Sequence, residues 1–285
     1  MSPTSTVQFF TQPRSFAEGF NAPACDGHGN LYAAHFGAQG NLGVVTPDGQ
    51  GYVFVELPGA QPSGLRFDSH GNLLVADAMS HSVLKVEMRS RQVTVLAHQP
   101  LMNRLHDLCI TEDDVLFASD SDVDTHRDKG QVWRIDPDGG SSLVAEGLEA
   151  VYGIEVAPDE GTLYVNDGLQ RRIWAFDLKA GQLSQQRLLI EFGDFEVAGM
   201  RCDVEGRLYV SRPGKGCIAV VSPKGELLQE IVLQGHRPSN LCFGGEDGCS
   251  VYVTAADLGA IEAFRVAVPG REWVLNQRLQ KGGWD

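Results

Sequence analysis

One short pattern occurs six times along the chain, and it constrains the fold more than any other feature. An apolar run follows a polar turn in the segments GNLYAAH, GNLLVAD, DVLFASD, GTLYVND, GRLYVSR and CSVYVTA. Their anchor residues lie 42, 43, 47, 45 and 43 residues apart, at Leu31, Leu73, Leu116, Leu163, Leu208 and Val251. Each anchor run has a short apolar run before it and one or two after it. Four short strands in a period of about 40–45 residues are typical of a β-propeller blade.

The repeat therefore predicts an all-β fold, a six-bladed β-propeller that makes residues 1–285 a single domain. Blades must stack, because an isolated blade leaves both of its faces exposed. The repeats span about residues 15–266, and the last one lacks an outer strand. The segment TVQFFTQ at residues 6–12 can supply that strand, so the ring is predicted to close through an N-terminal strand in the last blade. The C-terminal tail, residues 270–285, is expected to lie across the outer face.

Charge and composition exclude several classes of function. Lys plus Arg number 23 and Asp plus Glu number 37, a formal charge of −14, whereas nucleic-acid binding needs clustered basic residues. No apolar run approaches the roughly 20 residues that cross a bilayer, and the N-terminus does not resemble a signal peptide. We therefore expect a cytoplasmic protein with neither nucleic-acid nor membrane partners. The six cysteines form no Cys-x-x-Cys pair and are expected to be buried free thiols.

Propeller geometry predicts where a site would lie. The first strand of each blade starts beside the central channel, which gives six axis positions: Asn21, Ser63, His106, Tyr152, Ala198 and Ser239. The second strand ends on the same face, which gives an outer ring: His35, Asp77, Asp120, Asp167, Arg212 and Ala255. We expect function at this channel mouth. The alternative is that these residues only solvate it.

Several runs resemble the senescence-marker-protein-30/gluconolactonase family. They include FNAPACDGHGNLYAA, PSGLRFDSHGNLLVADAMSHSVLKV, NRLHDL and AGMRCDVEGRLYVSR, and the most specific is FGG followed by VYVTA. The likeness covers roughly residues 15–266. It implies a six-bladed propeller, an axial divalent cation that is usually calcium, and lactone hydrolysis with the cation acting as a Lewis acid.

The metal ligands that the resemblance implies are largely replaced. Asn21 stands where the family has a carboxylate, His106-Asp107 replaces an Asn-Asp pair, and Tyr152 and Ala198 stand at two further ligand positions. Only Arg104 and Asp107 match the pattern around blade three. Calcium takes six to eight oxygen ligands, several of them anionic. We therefore expect no cofactor. The alternative is calcium or another divalent cation, with ligands from Glu18, Asp120 and Asp122.

The replacement residues suggest acid–base chemistry. A histidine with a pKa near 6.5 is suited to moving protons at neutral pH, so His106 is the predicted base. Tyr152 on the neighbouring blade can donate a hydrogen bond to a developing oxyanion. Asp107 is expected to face the opposite side of its strand and to orient a neighbouring group from behind. These three are the predicted catalytic residues.

The substrate-binding prediction combines the mouth residues. It comprises Arg104, Asn21, Ser63, His35, Asp77, Asp120, Asp167 and Arg212. The three aspartates would favour neutral or cationic compounds, and the two arginines could clamp one carboxylate. The expected substrate is a lactone, a monocarboxylate, or a neutral or cationic compound.

Three functions remain open from the sequence. The first is a lactonase-type hydrolase. The second is a metal-independent lyase or isomerase, or a condensing enzyme similar to strictosidine-synthase-like propellers. The third is a non-catalytic ligand-binding propeller. The loop SDSDVDTHRDKGQ in blade three is a candidate lid, or a calcium site that lacks the EF-hand glycine and glutamate.

Overall fold

Six four-stranded antiparallel sheets form the propeller in a computed structural model, which describes residues 6–17, 21–121 and 130–280. Blade one contains β2 (Ala24–Cys25), β3 (Leu31–Ala34), β4 (Asn41–Val45) and β5 (Gly51–Glu56). Blade two contains β6 (Pro62–Phe67), β7 (Leu73–Asp77), β8 (Ser82–Val86) and β9 (Val93–His98). Blade three contains β10 (Leu105–Ile110), β11 (Leu116–Asp120), β12 (Gly130–Ile135) and β13 (Ser141–Leu148).

The second half of the ring repeats this order. Blade four contains β14 (Val151–Val156), β15 (Thr162–Asp167), β16 (Arg172–Lys179) and β17 (Gln182–Glu191). Blade five contains β18 (Met200–Cys202), β19 (Leu208–Arg212), β20 (Cys217–Val221) and β21 (Leu227–Val232). Blade six contains β22 (Pro238–Gly244), β23 (Ser250–Ala255), β24 (Ala260–Arg265) and the N-terminal β1 (Gln8–Phe9).

The predicted ring closure is confirmed. β1 pairs antiparallel with β24, with Gln8 opposite Ala263 and Phe9 opposite Glu262. Just beyond β1, the Phe10 amide donates to the Ile261 carbonyl at 2.8 Å. Strands from both ends of the chain thus share one sheet.

Apolar side chains pack between neighbouring blades. Every residue of β6 and β7 is buried, whereas the outer strands β5 and β13 are half exposed. The Tyr32 ring of blade one lies edge-on to Phe67 of blade two, with centroids 5.6 Å apart. All six cysteines are buried and none is in a disulfide. The stacked interfaces position the six inner strands around one channel. We call the end where these strands begin the upper face, and the opposite end the lower face.

The C-terminal tail departs from the expectation. Residues Arg271–Gln280 form a helix, α1, which lies against β18 and β22 at the lower end of the channel and not on the outer face. The Asn276 side chain donates to the Cys25 carbonyl of blade one at 3.0 Å. The Trp273 indole donates to the Gly245 carbonyl of blade six at 2.9 Å. No helix in the described ranges is long and apolar enough to cross a membrane.

Candidate active site

A cavity of about 200 Å³ opens at the upper end of the channel. Five of the six predicted axis positions line it: Asn21, His106, Tyr152, Ala198 and Ser239. The sixth, Ser63, is not part of the lining. Its hydroxyl donates to the Leu105 carbonyl at 2.6 Å and ties blade two to blade three. The structure therefore brings most of the predicted axis residues together.

β-bulges place three of these residues, His106, Tyr152 and Ser239, at the mouth. In blade three, Leu105 lies opposite Asp120 and Asp107 lies opposite Ser119, so His106 is an extra residue without a partner. Ser239 of blade six is an extra residue of its strand in the same way. A bulge re-aims a side chain and is common beside active sites. Here it turns the second residue of the inner strand toward the cavity.

The His106 imidazole is held as a neutral base. Burial, followed by the nearby Arg104 guanidinium, lowers the pKa of His106 to about 4. The Ser121 carbonyl accepts a hydrogen bond from the ring. The Nε2 atom is buried and has no hydrogen-bond partner in the described part of the chain. At neutral pH this leaves one ring nitrogen able to accept a proton.

Tyr152 stands beside His106 on the next blade. The two ring centroids are 5.0 Å apart and their planes meet at 73°. Burial and then the carboxylates of Glu196 and Asp167 raise the pKa of Tyr152, so its hydroxyl stays protonated. The backbone is fixed, because Ser119 Oγ donates to the Tyr152 carbonyl at 2.6 Å.

Asp107 faces the channel, which differs from the expected orientation. Its carboxylate accepts from Arg201 Nη1 at 2.8 Å and Nη2 at 3.2 Å, and from Asn240 Nδ2 at 3.1 Å. The bulge at His106 is the physical reason. It lets two consecutive residues line one cavity, where a regular strand would send them to opposite faces.

Comparison with known proteins agrees with this architecture. The sequence profile of the SMP-30/Gluconolactonase/LRE-like region matches residues 39–257. The chain belongs to the SMP-30/gluconolactonase family. The gluconolactonase of Zymomonas mobilis is 29% identical over 248 residues, which cover 74% of this chain and 68% of the relative. Regucalcin of Xenopus laevis is 29% identical over 148 residues, and the match covers half of each protein.

Solved structures share the fold. A calcium-binding regucalcin from Agrobacterium tumefaciens superposes with a TM-score of 0.81 at 18% identity, covering 93% of this chain and 95% of that one. A gluconolactonase from Xanthomonas campestris gives 0.79 at 20% identity, covering 93% and 90%. At these identities the likeness shows the six-bladed propeller alone.

The axial residues do not fit the cation that the SMP-30/gluconolactonase family implies. Asp107, the buried carboxylate of the cavity, already binds the Arg201 guanidinium, and Arg66 lies 3.6 Å from it. Because two guanidinium groups already lie beside this carboxylate, binding of a metal cation there is disfavoured. Within the described ranges, no three His, Cys, Asp or Glu side chains are grouped so that they could hold a metal ion. Glu18 and Asp122, two of the predicted ligands, lie outside the described residues.

The outer-ring aspartates do not line the upper cavity and bind loop amides instead. Asp77 accepts from the Gln61 amide at 2.7 Å, Asp120 from the Asn103 amide at 2.8 Å, and Asp167 from the Glu149 amide at 3.1 Å. All three are buried, and the amides belong to the loops that lead into β6, β10 and β14. Each carboxylate therefore satisfies backbone groups of its own blade instead of facing a substrate.

Arg212 performs the same task in blade five with the opposite charge. Its guanidinium donates to the Glu196 carbonyl at 3.0 Å and to Asp194 Oδ1 at 2.8 Å, and it is fully buried. It lies 3.9 Å from the centre of the Phe192 ring. Because its Nε and Nη2 donors are used by this loop and the side chain does not line the upper cavity, Arg212 is not placed to clamp a substrate carboxylate.

The remaining predicted binding residues lie beside the cavity lining. The His35 ring accepts from the Gly40 amide at 3.2 Å, and burial lowers the pKa of His35. Arg104 Nη2 donates to Gln61 Oε1 at 3.1 Å. Neither side chain lines the upper cavity, although Arg104 acts on it through its charge.

Sequence reasoning missed three polar lining residues: Glu196, Arg237 and Asn240. Glu196 and Arg237 are exposed at the rim, in loops where spacing gives no signal. Asn240 was detectable, because it follows Ser239 as Asp107 follows His106. In both blades this residue directly follows the extra residue of a β-bulge.

A larger cavity of about 380 Å³ lies on the lower face between blades one and two. Tyr32, Phe54 and Phe67 form its apolar wall. Its carboxylate, Asp26, accepts from the His28 and Asn30 amides and from the Asn30 side chain. This carboxylate holds its own turn, so we place the candidate active site at the smaller upper cavity.

Proposed function

We propose that this chain is a lactonase-type hydrolase that works by acid–base chemistry in its upper cavity. The observation that carries the proposal is the buried, unpaired Nε2 of a neutral His106 beside the Tyr152 ring. The gluconolactonase of Zymomonas mobilis, at 29% identity, supports lactone hydrolysis as the reaction class. A cavity of about 200 Å³ suits a small ring compound.

His106 Nε2 takes the first proton. A water molecule attacks the lactone carbonyl carbon, a carbon–oxygen bond forms, and the water's proton passes to Nε2. The hydrogen bond from the ring to Ser121 orients the imidazole for this step. The low pKa keeps the base unprotonated at neutral pH.

Tyr152 stabilises the oxyanion. Its hydroxyl donates a hydrogen bond to the carbonyl oxygen as negative charge develops there. The raised pKa of Tyr152 keeps the donor proton in place. The tetrahedral intermediate then collapses and the ring carbon–oxygen bond breaks. The imidazolium returns its proton to the leaving alkoxide, so one lactone and one water give a hydroxy acid.

Arg237 completes the site from the rim. Its side chain is exposed and lines the cavity. The hydroxy acid product ionises to a carboxylate, which a guanidinium can bind. Glu196, which is also at the rim, lies near enough to raise the pKa of Tyr152.

The test measures the turnover of a panel of five- and six-membered lactones at pH 7.5, monitored through the protons that hydrolysis releases. His106→Ala should reduce kcat by about 10²–10⁴-fold, the usual contribution of a general base. Tyr152→Phe should reduce kcat while the thermal shift caused by the bound hydroxy acid remains. His70→Ala is the matched control, because that side chain is 79% exposed and lies in the turn between β6 and β7 on the lower face.

Four results would contradict the proposal. Unchanged turnover in His106→Ala would refute the site assignment. Turnover that a chelator abolishes and a divalent cation restores would refute the acid–base mechanism in favour of a metal lactonase. Exchange of a substrate carbon-bound proton without ring opening would indicate a lyase or isomerase. Thermal stabilisation by lactones without any turnover in the wild type would indicate a binding propeller.

A further inference from the structure

Six buried charged side chains fill the channel below the cavity. Three are arginines and three are carboxylates: Arg66, Arg201, Arg271, Asp107, Glu155 and Glu272. Their formal charges cancel. They come from blades two to five and from α1. A buried charge is stable only when it is paired, so the six form one interdependent network.

Arg201 links the cavity to this network. Its two terminal nitrogens bind both oxygens of Asp107, at 2.8 and 3.2 Å, and Nη1 also donates to the Met200 carbonyl at 2.6 Å. Two parallel bonds between a guanidinium and a carboxylate fix orientation as well as distance. Asp107 in turn lines the cavity next to His106.

Glu272 is the carboxylate that reaches Arg201 from below. It belongs to the first turn of α1, and its two oxygens lie 3.7 Å from Arg66 Nε and 3.7 Å from Arg201 Nε. Arg271, its neighbour, donates to the Ile110 carbonyl at 2.9 Å and lies 3.9 Å from Glu155. The helix thus contributes one charge of each sign to the axis.

A glycine on the inner strand β6 and one just before β18 make room for this arrangement. A Cβ on Gly199 would lie 2.1 Å from Asn240, and one on Gly64 would lie 2.8 Å from the Asp107 backbone. The strands approach so closely here that the channel has little space for Asp107 to move sideways. The position of its carboxylate is therefore set by Arg201 and Asn240.

We propose that Arg201 is a positioning residue that holds Asp107 in the floor of the candidate site, and that Glu272 of α1 holds Arg201 in turn. The helix on the lower face thereby determines the geometry of the cavity on the upper face. The proposal rests on the upper cavity being the site proposed above. It goes beyond that function because it assigns a role to α1 and to a residue that touches no substrate.

The test compares variants that break the network at different points. Glu272→Gln removes the charge below Arg201, Arg201→Met removes the guanidinium, and Arg201→Lys keeps one positive charge. Glu160→Gln is the matched control, because Glu160 pairs with Arg271 of the same helix at 2.5 Å but contacts neither Arg66 nor Arg201. Each full-length variant is measured for Tm, for lactone kcat and KM, and for the ¹³Cε1 chemical shift of His106.

We expect Glu272→Gln and Arg201→Met to lower kcat by about tenfold to a hundredfold with a smaller change in KM, as a misplaced group does. The His106 shift should move in both variants, and Arg201→Lys should recover part of both effects. Glu160→Gln should lower Tm comparably without changing kcat or the shift. The proposal is overturned if Glu272→Gln and Glu160→Gln, both folded, match in kcat and in the His106 shift.

The chemical shift separates this proposal from the proposed function. If the wild type hydrolyses no lactone, the function fails, while a His106 shift in Glu272→Gln that is absent in Glu160→Gln still supports the positioning role. If lactones are hydrolysed and neither the shift nor kcat responds to Glu272→Gln, the positioning role fails and the function stands.

Discussion

Lowering the pH should destabilise this propeller through His106. An unfolded histidine takes up a proton near its ordinary pKa of about 6.5. In the folded protein, burial and the Arg104 charge lower the pKa of His106 to about 4. Between these values the unfolded chain binds a proton that the folded chain does not. The free energy of unfolding therefore decreases as the pH falls through this window.

The magnitude follows from the two pKa values. One pH unit below the ordinary value, at pH 5.5, the unfolded imidazole is about ten-to-one protonated while the folded one remains neutral. The free energy of unfolding is therefore about 1.4 kcal/mol lower at pH 5.5 than at pH 7.5, because one pKa unit corresponds to about 1.4 kcal/mol. The full loss approaches roughly 3 kcal/mol below pH 4. A measurement at pH 5.5 stays above the sequence pI of about 4.9.

The assay is urea unfolding at pH 7.5 and at pH 5.5, monitored by tryptophan fluorescence. The wild type should lose about 1.4 kcal/mol more than His106→Gln between the two pH values, because the variant lacks the titrating group. His70→Gln, at an exposed turn, should behave like the wild type. Equal losses in the wild type and His106→Gln would refute the account of a buried neutral imidazole. On the same grounds, kcat/KM for a lactone should stay level through pH 6.5 and fall only near pH 4.

Three further predictions follow from the buried groups. Arg212→Gln should lower the free energy of unfolding by about 2–3 kcal/mol in urea titrations, because the loop at Asp194 and Glu196 loses its donors; an unchanged midpoint would contradict this. Dialysis against a chelator should leave Tm unchanged, with less than roughly a tenth of an equivalent of calcium per chain by elemental mass spectrometry, because the axial carboxylate is bound by arginine; one equivalent would refute it. Ellman's reagent should label none of the cysteines in the native protein and all six after unfolding, since all are buried; labelling of the native protein would show that a thiol is accessible.

The fold was predictable because its information is repeated. Six copies of one spacing give the blade number, and the missing outer strand of the last copy gives the ring closure at β1. The helix α1 has no such signal. Amphipathic helices are recognised by an apolar stripe, but α1 faces a charged channel. It buries Arg271, Glu272 and Asn276, so its inward face looks polar in the sequence.

The position of the site was more predictable than the roles of its residues. Spacing placed Asp77, Asp120 and Asp167 correctly at the ends of second strands. It did not show that loop amides would take up their carboxylates. In blade five the equivalent residue has the opposite charge, and Arg212 donates to a loop carbonyl instead of accepting from loop amides. The end of the second strand thus carries an aspartate in three blades and an arginine in blade five. Because both charges hydrogen-bond to backbone groups of a loop, we infer that this position serves the loop and not a substrate.

The orientation of Asp107 was not predicted from the sequence, because it depends on a β-bulge. Strict alternation along β10 separates neighbouring side chains, and on that basis His106 and Asp107 belong to opposite faces. The bulge removes the alternation at that one position, and it recurs at Ser63 and Ser239. Because a bulge adds one residue to one strand, it is visible only when both strands of a pair are aligned. The second residue of β6, β10 and β22 is thus free of the ladder, which allows it to vary in chemistry from blade to blade while the fold stays the same.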